Sequence, residues 1–329
     1  PTPPPTRPHR PPPPDRPRPP TPSHAAPALR SALRLVPALR PPVGPSPGAL
    51  SGASATEPGA TAIRGTVSGS GVDAAEVDRV IMGCVLPAGL GQAPARQAAL
   101  GAGIPEGVPA ITVNKMCGSG MEAIILAHDM IRAGSAGIVV AGGLESMSNA
   151  PYLLLGARSG YRMAHHEVYD HMFYDGLQDP FEGQLMGHYA QVTADKYGFS
   201  REEMDAFAIE SVTRAQRAVS EGTFAGEIAA VTIKTRRGET TVEVDETPGT
   251  VSIEKIPTLR PAFAKDGTVT AATSSSISDG AAAVLMMTAD EADRRGLTPI
   301  ARIVGHSVFA QEPAWFTTAP VFALKKLHE

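Results

Sequence analysis

Short apolar runs alternate with helix-length segments in the first half of the chain, and this alternation restricts the fold more than any other feature of the sequence. The apolar runs lie at residues 79–86, 111–114 and 136–143 and resemble strands that are buried in a sheet. Two segments typical of helices lie between them, at 91–103 and 117–134, and each ends in glycine. Strand, helix and strand with short connections predict βαβ units, and therefore an α/β fold with a mixed, mostly parallel sheet covered by helices.

Residues 149–278 have a different character, with aromatic, methionine and histidine residues and longer connections. Ser200 and Glu203 form a capping-box pattern that predicts a helix continuing to about residue 221. The alternating residues at 229–244 predict a β-hairpin. This part of the sequence therefore predicts an inserted α+β lobe.

The regular pattern resumes after this lobe. Residues 281–287 predict a buried strand, and Thr288 with Glu291 predicts a capped helix directly after it. A further strand is expected at 299–308.

The N-terminal 47 residues differ from the rest of the chain. They contain 19 of the 32 prolines and seven arginines, but no aromatic residue. Such a segment buries too little apolar surface to offset the entropy lost on ordering, so we predict that residues 1–47 are disordered, with targeting or a proline-rich interaction as alternatives. Pro37 cannot donate to a sheet ladder, which argues against a normally paired central strand there.

Charge and cysteine content exclude several classes of protein. The net charge is −4 although the first 47 residues are basic, so the remainder is acidic and does not resemble a nucleic-acid-binding domain. No apolar run approaches the roughly 20 residues that span a bilayer. The two cysteines are too few for a disulfide framework, which favours a reducing compartment, and we predict the cytoplasm.

Cys117 is the candidate nucleophile. It follows a predicted strand, begins a predicted helix and has glycines at 118 and 120. A helix N-terminus favours a thiolate, and glycines allow a substrate carbonyl to approach the backbone closely. This position suits covalent acyl transfer, whereas a buried, inert thiol is the alternative.

The other candidate side chains favour simpler interpretations. Cys84 lies within a predicted strand and is expected to be a core residue. His165, His166 and His171 lie close together in sequence but lack the pattern of a metal site, so we expect surface-loop histidines and predict no bound metal.

Five segments together resemble the thiolases. They share the family's order and spacing and read GCVLPAGLGQAPARQAA at 83–99, VNKMCGSGMEAI at 113–124, AGGLESMSNAPYLL at 141–154, MGHYAQVTADKYGFSREEMDAFA at 186–208 and LRPAFAKDGTVTAATSSSISDGAAAVLM at 259–286. Several motifs in register are far more specific than a single motif.

The resemblance implies a division of the chain. An N-terminal thiolase half would comprise residues 48–148 and 279–297, and the 149–278 lobe would bind CoA and assist tetramerisation. Residues 298–329 would begin an incomplete C-terminal half. The resemblance also implies a homo-oligomer, either a dimer or a tetramer.

The resemblance further implies that Cys117 accepts an acyl group from acyl-CoA. The reaction would condense two acetyl-CoA to acetoacetyl-CoA or, in reverse, cleave a 3-ketoacyl-CoA with CoA, with no cofactor besides the CoA thioester substrates. Residues that match the substrate channel by position, any of which could be ordinary packing, are Leu177, Leu185, Met186, Phe263, Ala271, Ser275 and Phe316.

The sequence departs from the thiolase pattern in two ways. Leu185, Thr273 and Phe316 replace the histidine, asparagine and methionine common in the family, which is expected to alter acyl-chain preference. The Asn-Glu-Ala-Phe, Gly-His-Pro and Cys-x-Gly-Gly segments do not occur, so the resemblance implies a C-terminal truncation and weak turnover.

Two alternatives to an active thiolase stay open. An inert fragment that keeps CoA binding and subunit association is one alternative. A ketoacyl-synthase-like enzyme is another, disfavoured by the 149–278 lobe.

Overall fold

A seven-stranded mixed sheet organises the chain in our computed structural model, which describes residues 33–235 and 238–329. The described strands are β1 (Leu33–Leu39), β2 (Gly44–Pro45), β3 (Arg79–Gly83), β4 (Ala110–Val113), β5 (Val139–Ser146), β6 (Tyr152–Leu153), β7 (Tyr169–Asp170), β8 (Val231–Thr235), β9 (Gly238–Val242), β10 (Ser278–Thr288) and β11 (Ala301–Arg302). The α-helices are α1 (Thr56–Ser70), α2 (Pro94–Gly101), α3 (Ser119–Ala133), α4 (Met186–Tyr197), α5 (Arg201–Ser220), α6 (Glu246–Thr250), α7 (Ala289–Arg294) and α8 (Ala319–His328).

The main sheet has the order β11-β1-β10-β5-β3-β4, with β2 beside β10. Strand β3 pairs in parallel with β4 and β5, whereas β10 runs antiparallel to β5, β1 and β2. The predicted α/β fold with a mixed, helix-covered sheet is therefore confirmed. Parallel pairing is confined to the β5-β3-β4 part, where the βαβ connections lie.

Helices cover both faces of the sheet because successive strand residues point to opposite faces. Val80 and Met82 in β3 lie in the cluster with α1 and α2, which includes Ile63. Ile81, between them, lies in the cluster with α3, which includes Ala127. Strands buried on both faces read as continuous apolar runs, which explains why such runs located them in the sequence.

Strand β1 overturns part of the predicted disorder. Leu33 and Val36 are buried in the core, so residues 33–47 are not a structureless leader. The ladder with β10 shifts its register between Val36 and Ala38, and this irregularity accommodates Pro37. The rest of the predicted leader, residues 1–32, lies outside the described residues.

The segment after β1 is tied to the 149–278 region by ion pairs and hydrogen bonds. Arg40 makes two contacts of 2.7 and 2.8 Å with the Asp245 carboxylate and one of 2.7 Å with Glu227. Asp245 also accepts from the Val43 N–H at 2.8 Å. These groups order residues whose composition alone suggested disorder.

The last predicted strand is shorter than expected. Residues 299–308 contain only β11, which pairs with β1 at Arg34 and Leu35. Strand β11 ends at Arg302, the Ile303 N–H still donates to the Leu33 carbonyl at 3.1 Å, and residues 304–308 contain no helix or strand.

The capping patterns are confirmed in the structure. Ser200 Oγ accepts from the Glu203 N–H, and the Glu203 side chain accepts in return from the Ser200 N–H, at the start of α5. Thr288 caps α7 through the Glu291 N–H. The predicted hairpin is present as β8 and β9, although its tip at residues 236–237 lies outside the described residues. Residues Ser31–Glu329 form one compact unit, and the finer domain boundaries stay predictions.

Gly83, at the end of β3, permits the close approach of α3 to the sheet. A Cβ at this position would lie 2.5 Å from the carbonyl carbon of Ser119 and 2.6 Å from the amide nitrogen of Gly120.

We expect Gly83→Ala to lower the free energy of unfolding by about 1–3 kcal/mol, because backbone atoms would have to move. Urea denaturation measures this change.

Gly107→Ala is the matched control. No atom lies within 4 Å of a Cβ there and the residue is exposed, so we expect a change within about 0.5 kcal/mol. Equal stability of the two variants would contradict the close-approach argument.

Candidate active site

Cys117 lies in a tight turn between β4 and α3, and it is exposed. Met116, directly before it, has a φ of +50°, in the left-handed region that side chains rarely adopt. Ser119 Oγ stabilises the turn by accepting from the Lys115 N–H at 2.8 Å and donating to the Met116 carbonyl at 2.6 Å. The structure therefore has this thiol in an exposed turn and not in the core.

Asn114 connects this elbow to the neighbouring strand end. Its Oδ1 accepts from the Met116 N–H at 2.9 Å, and its Nδ2 donates to the Val85 carbonyl at 3.3 Å. Val85 follows β3, so one amide side chain holds both the strained residue and the adjacent loop. Asn114 is not among the residues predicted from the sequence. Asparagine side chains in turns often accept a hydrogen bond from the backbone N–H two residues further on, as Asn114 does here, so its position before Met116 was a usable signal.

Glu145, near the end of β5, fixes the same loop from the other side. Its carboxylate accepts from the N–H groups of Val85 at 2.7 Å and Leu86 at 3.0 Å. Burial raises the pKa of Glu145 above its ordinary value, although these two backbone hydrogen bonds oppose the shift. Sequence reasoning placed this residue in a family motif but gave it no role.

These groups gather at one edge of the sheet. Strands β3, β4 and β5 are parallel neighbours, and Val85, Asn114 and Glu145 lie at or just beyond their carboxyl ends. Ligands of open α/β sheets bind outside the carboxyl ends of the strands. Cys117 lies at this edge and next to the N-terminus of α3, where the helix dipole favours an anion.

The second thiol has the opposite environment. Cys84 is 2% exposed, and its Sγ lies 3.5 Å from Glu145 Oε1. Burial, followed by the neighbouring carboxylate, raises the pKa of Cys84 to about 12. The prediction that Cys84 is a core residue is confirmed by its position in the main apolar cluster.

Helix α4 brings together several of the predicted substrate-binding residues. Leu185 directly precedes the helix, Met186 is its first residue, and the Phe263 ring packs against Gly187. Gln191, buried in the same helix, accepts from two backbone N–H groups of the Phe263 segment at 2.9 Å each.

The Phe316 segment packs on the same helix. The hydroxyls of Thr193 and Thr317 are 2.5 Å apart, and the Lys196 ammonium lies 3.9 Å from the centre of the Trp315 ring. Phe316 itself is 39% exposed. Four of the seven predicted residues thus lie on or beside α4.

The remaining three lie elsewhere. Leu177 is half-buried and follows Gly176, which packs against the Leu86 side chain. This contact links it to the loop that Glu145 holds. Ala271 and Ser275 are exposed in the connection before β10, and no hydrogen bond in the described ranges 33–235 and 238–329 joins them to Cys117.

The expectation for the three clustered histidines holds for two of them. His165 and His166 are exposed, but His171 is 4% exposed and is not a surface-loop residue. Its Nδ1 lies 2.6 Å from Asp175 Oδ2, and its Nε2 accepts from the Ala88 N–H at 3.4 Å. A buried histidine needs such partners, and these hold it beneath the loop after β3.

A different polar cluster lies far along α3. His128, Asp129 and His306 have possible ligand atoms that all lie within 4.8 Å of one another. His306 is 178 residues from His128, so no local sequence pattern indicates the cluster.

In the described part of the chain, no helix is long and apolar enough to cross a membrane.

Comparison with known proteins identifies close relatives. The family described as "Thiolase, N-terminal domain" matches residues 33–290. An acetyl-CoA acetyltransferase of Pseudomonas aeruginosa is 48% identical over 295 residues, 89% of this chain and 75% of the relative. A probable acetyl-CoA acyltransferase of Staphylococcus aureus is 45% identical with the same coverage.

Two crystal structures share the fold. A Bacillus anthracis acetyl-CoA acetyltransferase gives a TM-score of 0.87 at 38% identity, covering 90% of this chain and 75% of the other. A thiolase of Ascaris suum in complex with coenzyme A gives 0.84 at 36% identity, covering 90% of this chain and 76% of the other.

The two cysteines provide a direct test of the site geometry. Iodoacetamide at pH 8 should alkylate Cys117 in the folded protein and spare Cys84, which is buried and fully protonated at that pH. Peptide mass mapping of the two cysteine peptides measures this. Unfolding in urea should make both react, and comparable labelling of Cys84 in the folded chain would contradict the structure.

Proposed function

Because the chain belongs to the thiolase family, a family of acyltransferases, we propose that it transfers acyl groups through a thioester on Cys117. The specific reaction is the condensation of two acetyl-CoA to acetoacetyl-CoA, or the reverse thiolysis of a 3-ketoacyl-CoA. The observation that carries the proposal is the position of Cys117, exposed in a strained turn at the carboxyl edge of the sheet, beside a helix N-terminus.

The proposed chemistry has two balanced steps. The Cys117 thiolate attacks the carbonyl carbon of an acyl-CoA, the new C–S bond forms, the bond to the CoA sulfur breaks, and CoA leaves as its thiolate. In condensation, a second acetyl-CoA loses an α-proton, and the CoA thiolate released in the first step gains one. The α-carbon then attacks the thioester carbonyl carbon, the new C–C bond forms, the C–S bond to Cys117 breaks, and Cys117 is released as its thiolate. In thiolysis, the Cys117 thiolate attacks the 3-keto carbon of the 3-ketoacyl-CoA, the bond between carbons 2 and 3 breaks, and acetyl-CoA leaves once its carbon 2 takes the proton of the CoA thiol. The CoA thiolate then attacks the enzyme thioester, which forms a shortened acyl-CoA and releases the Cys117 thiolate. The CoA thioester is a substrate, and the proposal includes no other cofactor.

The apolar and half-buried groups around α4 suit the extended arm of CoA. We assign Leu185, Met186, Phe263 and Phe316 to this role, with Leu177 closer to the loop after β3. Apolar walls with few polar groups are typical of small-molecule sites. Ala271 and Ser275, in the exposed connection before β10, are the last two residues that we assign to substrate binding.

We propose that the reaction takes place in the cytoplasm, because both cysteines are free thiols.

One observation favours a second candidate, an inert thiolase chain that retains CoA binding and subunit association. Among residues 33–235 and 238–329, no histidine or carboxylate is hydrogen-bonded to Cys117. A nucleophile without an adjacent base turns over slowly, since removing such a base costs several powers of ten in rate. The two candidates differ in turnover.

Acylation by acetyl-CoA tests the nucleophile. We expect intact mass spectrometry to show one acetyl group on the wild-type chain, released by hydroxylamine as a thioester is. Cys117→Ala should reduce acylation by roughly 10⁴-fold or more. Cys84→Ala is the matched control and should leave acylation unchanged, because the Cys84 thiol is buried.

Thiolysis of acetoacetyl-CoA, followed by loss of its absorbance, then separates the two candidates. Turnover that depends on Cys117 supports the acyltransferase. CoA binding without acylation or turnover supports the inert chain, and turnover that survives Cys117→Ala overturns the assignment of the nucleophile.

We also propose that the chain forms a homo-oligomer, a dimer or a tetramer. Large apolar side chains in the 149–278 region that are 68–88% exposed include Tyr152, Met163, Phe181 and Phe207. Apolar surface of this kind favours contact with another protein surface. Light scattering should give a mass of two or four 34.2 kDa chains, stable to dilution to micromolar concentration, and a monomer would contradict this.

A further inference from the structure

Three side chains converge on one point where α3 meets the segment after β11. His128 Nδ1 is 2.9 Å from Asp129 Oδ1, His306 Nε2 is 3.0 Å from the same oxygen, and the two ring nitrogens are 3.3 Å apart. The three atoms therefore form a nearly equilateral triangle. Ligand atoms held at about 2.0–2.1 Å by one tetrahedral zinc ion lie about 3.3 Å apart, so the triangle has the size of one face of such a site.

If the three groups were held by hydrogen bonds alone, the contact between the two ring nitrogens would be unfavourable. Both ring nitrogens approach the same carboxylate oxygen, so each must carry a proton to donate to it. Two N–H groups would then face each other across the 3.3 Å contact between His128 and His306. A cation bound to both nitrogens and the oxygen makes all three close approaches favourable.

We propose that His128, Asp129 and His306 form a binding site for a divalent transition-metal ion of the zinc type. Two imidazoles and one carboxylate are a ligand set for such ions, whereas Mg²⁺ and Ca²⁺ require oxygen ligands. The Asp129 side chain is 57% exposed, and those of His128 and His306 are 18% and 29% exposed. Water can therefore complete the coordination, and the ion can enter from solvent.

The site is separate from Cys117. His128 lies nine residues after the first residue of α3, which is about 14 Å along the helix axis. The bound ion would thus join two parts of the fold and take no part in acyl transfer.

The metal would fasten the segment that lacks strand structure. After β11 and the hydrogen bond from the Ile303 N–H to the Leu33 carbonyl, residues 304–312 contain no helix or strand. His306 is the residue of this segment that contacts α3 through the cluster. Coordination would convert that contact into a crosslink between α3 and the C-terminal part of the chain.

Metal titration of the full chain tests the proposal. The exposed Cys117 thiol is first blocked with iodoacetamide, because a thiolate would compete for zinc. We expect calorimetry with ZnCl₂ to show one ion per chain. Co²⁺ should give the visible bands of a nitrogen–oxygen site without a sulfur-to-cobalt charge-transfer band, and MgCl₂ should not compete.

Variants locate the ion. His306→Ala and Asp129→Asn should each weaken Zn²⁺ binding by about a hundredfold or more, since even changes to groups outside the ligand set cost 10–100-fold. His165→Ala removes an exposed histidine outside the cluster and should bind normally. Zinc should also raise the unfolding temperature of the wild-type chain and not of His306→Ala, and EDTA should reverse this increase.

Three outcomes would contradict the proposed metal site. Absence of one-to-one binding, unchanged affinity in both cluster variants, or equal loss in His165→Ala would each overturn the site. Circular dichroism of His306→Ala checks the fold, and this loop position lies outside every helix and strand.

Discussion

The contact between Gly83 and the first turn of α3 is the constraint on which the proposed site depends. The helix begins so close to β3 that no side-chain atom fits between the two backbones. Residues 114–118 connect β4 to this helix, and Met116 within them has a left-handed conformation. Cys117 lies in this connection and is exposed, so the turn that carries the thiol leads directly into the helix end that packs on Gly83.

A chain of hydrogen bonds from Glu145 and Asn114 stabilises this turn. Glu145 holds the loop after β3, and the same loop accepts a hydrogen bond from Asn114, which in turn holds Met116. Three adjacent parallel strands thus contribute one member each. A partly buried carboxylate costs free energy unless backbone donors satisfy it, and here two N–H groups do so. Burial, followed by the same carboxylate, raises the pKa of Cys84, so the group that supports the loop beside the exposed thiol also acts on the buried one.

Apolar runs, helical spacing and capping patterns in the sequence predicted several strands and helices correctly. Strands β3, β5 and β10 and helices α3, α5 and α7 were predictable because apolar runs and capping boxes are local properties. Strand β1 was not, since Pro37 and the prolines around it suggested disorder, whereas its pairing with β10 and the ion pair of Arg40 with Asp245 just after it are contacts with distant residues. The cluster at His128 was not predictable either, because it depends on His306 from a distant loop. Of the candidate site, the sequence located Cys117, whereas Asn114 and Glu145 gained their roles only from the contacts they make.

Pro37 has a further consequence for how the sheet meets its surroundings. Strand β11 covers β1 only at Arg34 and Leu35, so the remainder of that flank has no described strand beside it. An uncovered strand flank recruits strands of other molecules through its free amide hydrogens. Proline has none to offer, and the irregular register beside it interrupts the regular spacing that an incoming strand would need. The residue that made this segment look unsuited to a sheet therefore leaves the strand without an N–H donor at position 37, where an added strand would need one.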